Sequence, residues 1–203
     1  MTELNFNQLV QKIKAKSVYM LIGHGSKNQF KSVSKTKLIV KNIIEQWNEN
    51  SVVLYFGDAP KIDKPDVGLL FQMIHELNKN IKIYMIQISV AKGWGVPKFV
   101  SGVYWHNDFT KKCQWGGIND NNEPCSNTKK WVSLNKRING GIKMVYIFGG
   151  GNITLDEYKL IKKYKIPYQY FQIERKYKGD GITKVLVGDS IKDKIGVTFN
   201  KIK

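Results

Sequence analysis

Apolar positions in this chain recur with two different periods, and the two alternate. Between Leu4 and Ala15 the apolar residues Leu4, Phe6, Leu9, Val10 and Ile13 fall at near-helical spacing. Val18 to Ile22 is instead a short continuous apolar run, the mark of a strand buried on both faces, and it ends in Gly23-His24-Gly25-Ser26. An amphipathic helix is predicted over Val33 to Trp47, with Val33, Leu38, Ile39, Ile43, Ile44 and Trp47 apolar. Val52 to Phe56 reads as a second buried strand, ending in Gly57-Asp58. Asp66 to Asn78 reads as a helix introduced by Pro65, and Ile81 to Ile88 as a third strand. Buried strands separated by helices at this spacing imply right-handed crossovers and a mainly parallel sheet.

The alternation stops at residue 90. Residues 90–126 are rich in Gly, Asn and aromatic side chains and hold Trp94, Trp105 and Trp115. A structureless loop of that length is unusual in a compact domain. The stretch is therefore expected to be an inserted β-hairpin or lid packed by its own aromatics; the plainer alternative is a decoration with no part in function. Regularity returns with a helix over Thr128 to Ile138, closed by Gly140-Gly141. Ile142 to Phe148 reads as a strand, Thr154 to Lys165 as a helix, and Pro167 to Ile173 as a fifth strand. Lys184 to Gly188 and Ile195 to Phe199 read as short strands around Asp189-Ser190. The predicted fold class is α/β: a Rossmann-like three-layer sandwich with a mainly parallel central sheet. One domain covers residues 1–203, and the Trp/Gly-rich hairpin or lid is inserted at 90–126.

In open α/β sheets ligands bind outside the carboxyl ends of the strands. Three such ends here combine glycine with polar groups: Gly23, Gly25, Ser26 and Lys27; Gly57 and Asp58; and Gly149, Gly150, Gly151 and Asn152 with Thr154. The last is the most informative, because three glycines separate a strand end from a helix start. Glycine permits positive φ and close backbone approach, and a helix start offers unpaired N–H groups with a partial positive charge. The N–H groups of Gly150 to Thr154 are expected to hold a phosphate, with Ser26 and Lys27 adding a hydroxyl and a charge. Thr154 reads as the N-cap and Glu157, three residues on, as its capping-box partner. The alternative is a tight strand-to-helix turn with no ligand. His24 is either a general base or a backbone cap.

These residues resemble the LOG-like (lysine-decarboxylase-like) Rossmann families, which carry Pro-Gly-Gly-x-Gly-Thr-x-x-Glu between a strand and a helix. Gly150, Gly151, Thr154 and Glu157 match that motif, whereas Gly149 stands for the proline and Ile153 for the third glycine. The resemblance covers most of residues 17–165 outside the insertion. It implies a nucleotide or nucleotide-derivative ligand. It also implies a phosphoribohydrolase-like cleavage of the N-glycosidic bond, with Glu157 as the catalytic carboxylate at the ribose. The family's arginine, about fifteen residues before its motif, has no match: position 134 is Leu, with Lys136-Arg137 nearby. The related SLOG sensor domains bind nucleotides without necessarily cleaving them, which is the second reading.

Charge changes the picture less than its size suggests. Net charge is +17 over 203 residues, with Arg137 and Arg175 the only arginines. Base readout and bidentate phosphate binding favour arginine forks, and no block of five basic residues occurs. Abundant Lys, Asn and Ile suit an AT-rich genome, such as that of a large DNA virus, a protist or a low-GC bacterium. Weak polyanion binding is expected, not sequence-specific recognition. The two cysteines, Cys113 and Cys125, imply no disulfide framework. Together with His106 they match no common zinc spacing, so neither a metal nor a resident cofactor is expected. No apolar run reaches membrane length, and Met1 to Ser17 is polar and unlike a secretory signal. The expected location is therefore cytoplasmic, with a nucleotide-like small molecule as partner and with a homodimer left open. A third reading is a non-catalytic basic α/β interaction protein, viral in composition, whose glycines are structural only.

Overall fold

The computed structural model describes residues 1–23, 30–56, 68–107, 115–171 and 173. In chain order these form β1 (Thr2–Glu3), α1 (Phe6–Ile13), β2 (Ser17–Gly23), α2 (Val33–Ile44), β3 (Ser51–Tyr55), α3 (Leu69–Leu77) and β4 (Lys82–Ile88). A 3₁₀ segment (Ser89–Trp94) leads to β5 (Gly102–His106), α4 (Ser126–Arg137), β6 (Met144–Phe148), α5 (Asn152–Lys163) and β7 (Tyr168–Phe171). The seven strands make one sheet in the order β1-β5-β4-β3-β2-β6-β7, and every neighbouring pair is parallel. The strands expected from the apolar runs all lie in it. The two short strands expected after residue 180 lie outside the described residues.

Strand alternation explains why the sheet is buried on both faces. Val18, Met20 and Ile22 of β2 point to one side, with Val52, Leu54, Ile86, Val145 and Ile147, and pack against α1, α4 and α5. Tyr19 and Leu21 point to the other, with Val53, Tyr55, Ile83, Met85 and Phe148, and pack against α2 and α3. Continuous apolar runs serve such strands because successive side chains face opposite cores. On the second face Tyr19 stacks on Trp47 at 4.3 Å, and Trp47 Nε1 donates to the Tyr146 hydroxyl at 3.3 Å. That bond satisfies the indole N–H where α2 runs out.

Part of residues 90–126, expected as an inserted hairpin or lid, belongs to the sheet itself. Gly102–His106 is a sheet strand, β5, which lies between β4 and the two-residue β1. A Cβ at Gly102 would stand 3.0 Å from Leu4 Cδ1 and 3.3 Å from Tyr84, so the glycine admits close packing at this edge. Leu4 N–H donates to the Val103 carbonyl at 2.8 Å and extends the pairing. Among the other described residues of the stretch, the 3₁₀ segment runs to Trp94 and an antiparallel bridge joins Ile118 to Pro124. The tryptophans do pack on one another, as Trp94 stacks on Trp115 at 5.2 Å.

Helix starts follow local chemistry. Asn5 and Gln8 form a reciprocal capping box on α1, and Ser32 Oγ accepts from the Lys35 N–H on α2. Helix α3 begins at Leu69, after Gly68 at φ 83°, and the Pro65-Asp66 signal expected to start it lies outside the described residues. Helix α5 begins at Asn152, two residues before the expected start.

Gly23 ends β2 at φ 124° in register with Phe148 of β6, and a Cβ there would run into the Phe148 carbonyl. Gly23→Ala is expected to lower unfolding free energy by at least about 1–3 kcal/mol from the backbone conformation alone, read from urea denaturation. Parent-like stability would show that β2 and β6 separate at this point at little cost.

Candidate functional site

The connections from β2 run towards β3, β4 and β5 on one side, while β6 and β7 lie on the other. The boundary between β2 and β6 is therefore the topological switch point, the place at the carboxyl edge where open α/β sheets generally bind ligands. Gly23 and Gly149–Gly151 sit at the two strand ends that border it. Of the other expected ligand residues, Gly25, Ser26, Lys27, Gly57 and Asp58, and with them His24, lie outside the described residues.

The glycine turn has a specific geometry. Gly149 (φ 58°) and Gly150 (φ 130°) take conformations that favour glycine. The Gly149 N–H is spent on the Phe171 carbonyl at 3.0 Å, which ties the turn to β7. Gly151 is the N-cap of α5, in extended backbone at φ −122° and ψ −170°. Thr154 is not the cap: it occupies the third helical position, and its Oγ1 accepts from the Gly151 N–H at 3.2 Å. One of the expected anion donors is thus used internally. Among the described residues, the N–H groups of Gly150, Ile153 and Thr154 meet no protein acceptor. They converge on a helix N-terminus, where the partial charge is positive.

Glu157 also departs from the capping-box expectation. It lies in the second turn of α5, faces α4 and is 7% exposed. Its Oε1 accepts from Thr128 Oγ1 at 3.1 Å and from Trp131 Nε1 at 3.4 Å. Thr128 Oγ1 in turn accepts from the Gly117 N–H at 2.9 Å. Gly116 packs directly over the carboxyl: a Cβ there would be 3.3 Å from Glu157 Oε1 and 2.9 Å from Ile153. Burial raises the Glu157 carboxyl to about 7, against the lowering effect of the Thr128 and Trp131 hydrogen bonds; the neighbouring Asp156 raises it further. At neutrality this acid is about half protonated, and below neutrality mostly so, held under a strap of backbone at 116–117.

A second buried polar chain was not legible beforehand. Asn127 Nδ2 donates to Gln87 Oε1 at 2.6 Å, and that oxygen also accepts from the Ile88 N–H at 2.8 Å. With its nitrogen so committed, the Asn127 amide presents Oδ1 to His106 Nε2 at 2.7 Å, so the ring nitrogen carries the proton. The network joins the carboxyl ends of β4 and β5 to the start of α4, where Ser126, Asn127 and Thr128 are all buried. Their signal was a polar triplet at a helix start. Such a triplet is equally the pattern of a solvated cap, and nothing in the spacing distinguishes the two. Cys125, the N-cap of α4, makes no side-chain cap hydrogen bond and is disulfide-bonded, although the cysteine count implied no framework. Among the described residues, no group of three His, Cys, Asp or Glu side chains is placed to hold a metal, and no helix is long and apolar enough to cross a membrane.

No protein-family model and no curated protein sequence matches the chain. Two solved structures of the molybdenum cofactor carrier protein from Chlamydomonas reinhardtii are similar to it. One aligns at 13% identity and TM-score 0.47 over 76% of each chain. The other aligns at 12% identity and TM-score 0.44 over 77% of this chain and 76% of that one. Likeness at that level does not extend to ligand or activity.

The raised Glu157 carboxyl sets a pH dependence. Its folded value, about 7, lies above the ordinary 4.5, so folding takes up a proton between those values. Its contribution is complete below about 4.5 and is lost as pH rises through about 7, on the order of 3 kcal/mol in all. Glu157→Gln, which keeps the shape and cannot ionise, is expected to flatten that decline in melts taken from pH 5 to 8. An unchanged slope in the variant would remove Glu157 as its source.

Proposed function

We propose that the switch point between β2 and β6 binds the phosphate of a nucleotide or nucleotide derivative, in the manner implied by the LOG-like resemblance, without rapid cleavage of the glycosidic bond. The observation that carries this reading is the convergence of Gly23 and the Gly149–Gly151 turn at the switch point. There the open N–H groups at the start of α5 face outward from the sheet edge. An anion placed there gains hydrogen bonds and the helix-end charge together. Ser26, Lys27, Gly57 and Asp58 belong to the same proposal through their positions after β2 and β3.

Binding is favoured over hydrolysis by the state of Glu157. A carboxyl that serves at a ribose must reach the ligand. This one is committed to Thr128 and Trp131 beneath Gly116 and Gly117, and no arginine stands at position 134. Nucleoside 5′-monophosphates are therefore expected to be released intact.

The rival reading, structural glycines alone, also has an observation behind it. Side chains at Gly23 and Gly150 would meet the Phe148 carbonyl and the Thr154 side chain, so packing already requires glycine at both positions. Gly151 separates the readings, because its extended backbone suits any residue. Gly151→Ala is expected to keep the parent melting temperature and to weaken nucleotide binding at least tenfold. The measurements are a binding isotherm and a thermal-shift panel of nucleoside phosphates, nucleotide sugars and ADP-ribose. A ligand at 100 times its dissociation constant adds about 2.7 kcal/mol. If no member of the panel shifts the parent, the binding proposal fails. A folded variant that binds as well as the parent would take the loop out of the site.

A further inference from the structure

The two helical layers are charged in different ways. On the α2 and α3 side, lysines meet carboxylates: Lys37 pairs with Glu76 at 2.7 Å, and Lys41 with Glu45 at 3.7 Å. On the opposite side α5 carries the Lys159–Asp156 pair at 2.9 Å, whereas neither α1 nor α4 contains an acidic residue. Their exposed cations Lys12, Lys14, Lys136 and Arg137 make no ion pair with any described carboxylate. Two of them rest on aromatic rings instead. The Arg137 guanidinium lies 5.1 Å from the Phe6 centroid, and Lys136 Nζ lies 5.7 Å from that of Tyr164. A ring holds a cation in place without cancelling its charge. The Asn139 N–H donates to the Lys14 carbonyl at 3.1 Å, which joins the end of α4 to the end of α1. The result is a basic face at the joined ends of both helices, on which Lys136 and Arg137 are held by rings and none of the four cations is paired with a described carboxylate.

We infer that the α1–α4 face, with Lys12, Lys14, Lys136 and Arg137, binds the phosphodiester backbone of nucleic acid without reading its sequence. The surface is independent of the glycine turn and extends the function beyond small-molecule binding. Lysine outnumbers arginine on it, and the one arginine is committed to Phe6, so forks for base edges are lacking while point charges for phosphates are not. An anionic membrane fits less well. A helix that lies on lipid inserts large apolar side chains. The large apolar residues exposed among the described residues are Met1, Leu38, Val90 and Ile153, none of them on α1 or α4.

The test separates this face from the chain's overall basicity. A short DNA duplex is titrated by fluorescence anisotropy at several salt concentrations. The proteins are the parent, a variant carrying K12Q, K14Q, K136Q and R137Q, and a control carrying K35Q, K37Q, K41Q and K79Q. Both variants lose the same charge, and melts confirm that each is folded. The first variant is expected to reduce the slope of log affinity against log salt by about 3–4, since each phosphate contact contributes roughly 0.9; the control should bind as the parent does. If the four-site variant unfolds, the pair K136Q and R137Q is read in its place, with an expected slope loss of about 2. Equal losses in variant and control would assign the binding to net charge and overturn the inference. So would absence of duplex binding at low salt, or binding to phosphatidylserine vesicles with none to the duplex.

Discussion

The close approach of β2 and β6 is the constraint on which the rest of the structure depends. They are the two strands from which the sheet grows in opposite directions, and their register puts Gly23 opposite Phe148. A side chain at Gly23 would push the carbonyl of Phe148 away. With the glycine in place, β6 continues directly into the Gly149–Gly151 turn, and the turn is pinned to β7 by the Gly149 N–H. Helix α5 then starts at the sheet edge with its N–H groups directed outward. The same crossing decides which helices share a face: α1, α4 and α5 on one, α2 and α3 on the other. The basic α1–α4 surface and the glycine turn are therefore separate products of one topology.

The parallel core was readable because each central strand is buried twice. Val18 to Ile22 and Val52 to Phe56 need apolar residues in both registers, and that requirement leaves an unbroken run in the sequence. The edge of the sheet left no such run. Thr2–Glu3 is too short for any period, and Gly102–His106 begins with glycine and continues with aromatics, a composition shared with loops. Its strand character comes from pairing with Tyr84 to Ile88, a tertiary fact. The loss of the capping box at Thr154 has a comparable cause. Glycine at 151 accepts an extended backbone and takes over as cap, which frees Thr154 to satisfy the Gly151 N–H. The motif correctly marked the turn, but the Glu157 carboxyl points away from it because Thr128 and Trp131 offer donors inside the core. Neither partner could be inferred from the residues around Glu157.

Glycine is ambiguous evidence of a ligand here, and electrostatics alone does not remove the ambiguity. Glu157 lies six residues beyond the cap, about 9 Å along the helix axis at 1.5 Å per residue. That distance is slightly beyond the screening length of about 8 Å at physiological ionic strength, yet the intervening medium is buried protein, where screening is weaker. Ionised, it would oppose an anion at the helix start. Burial raises its carboxyl to about 7, so it opposes the positive end of α5 less than an ordinary carboxylate would, and least below neutrality. The same carboxyl accepts from the buried donors of Thr128 and Trp131, and an apolar residue at 157 would leave both unpaired. The buried acid therefore serves the packing of α5 on α4 whatever the turn does, and the glycines are the discriminating feature: packing demands Gly23 and Gly150, and it makes no such demand on the extended backbone of Gly151.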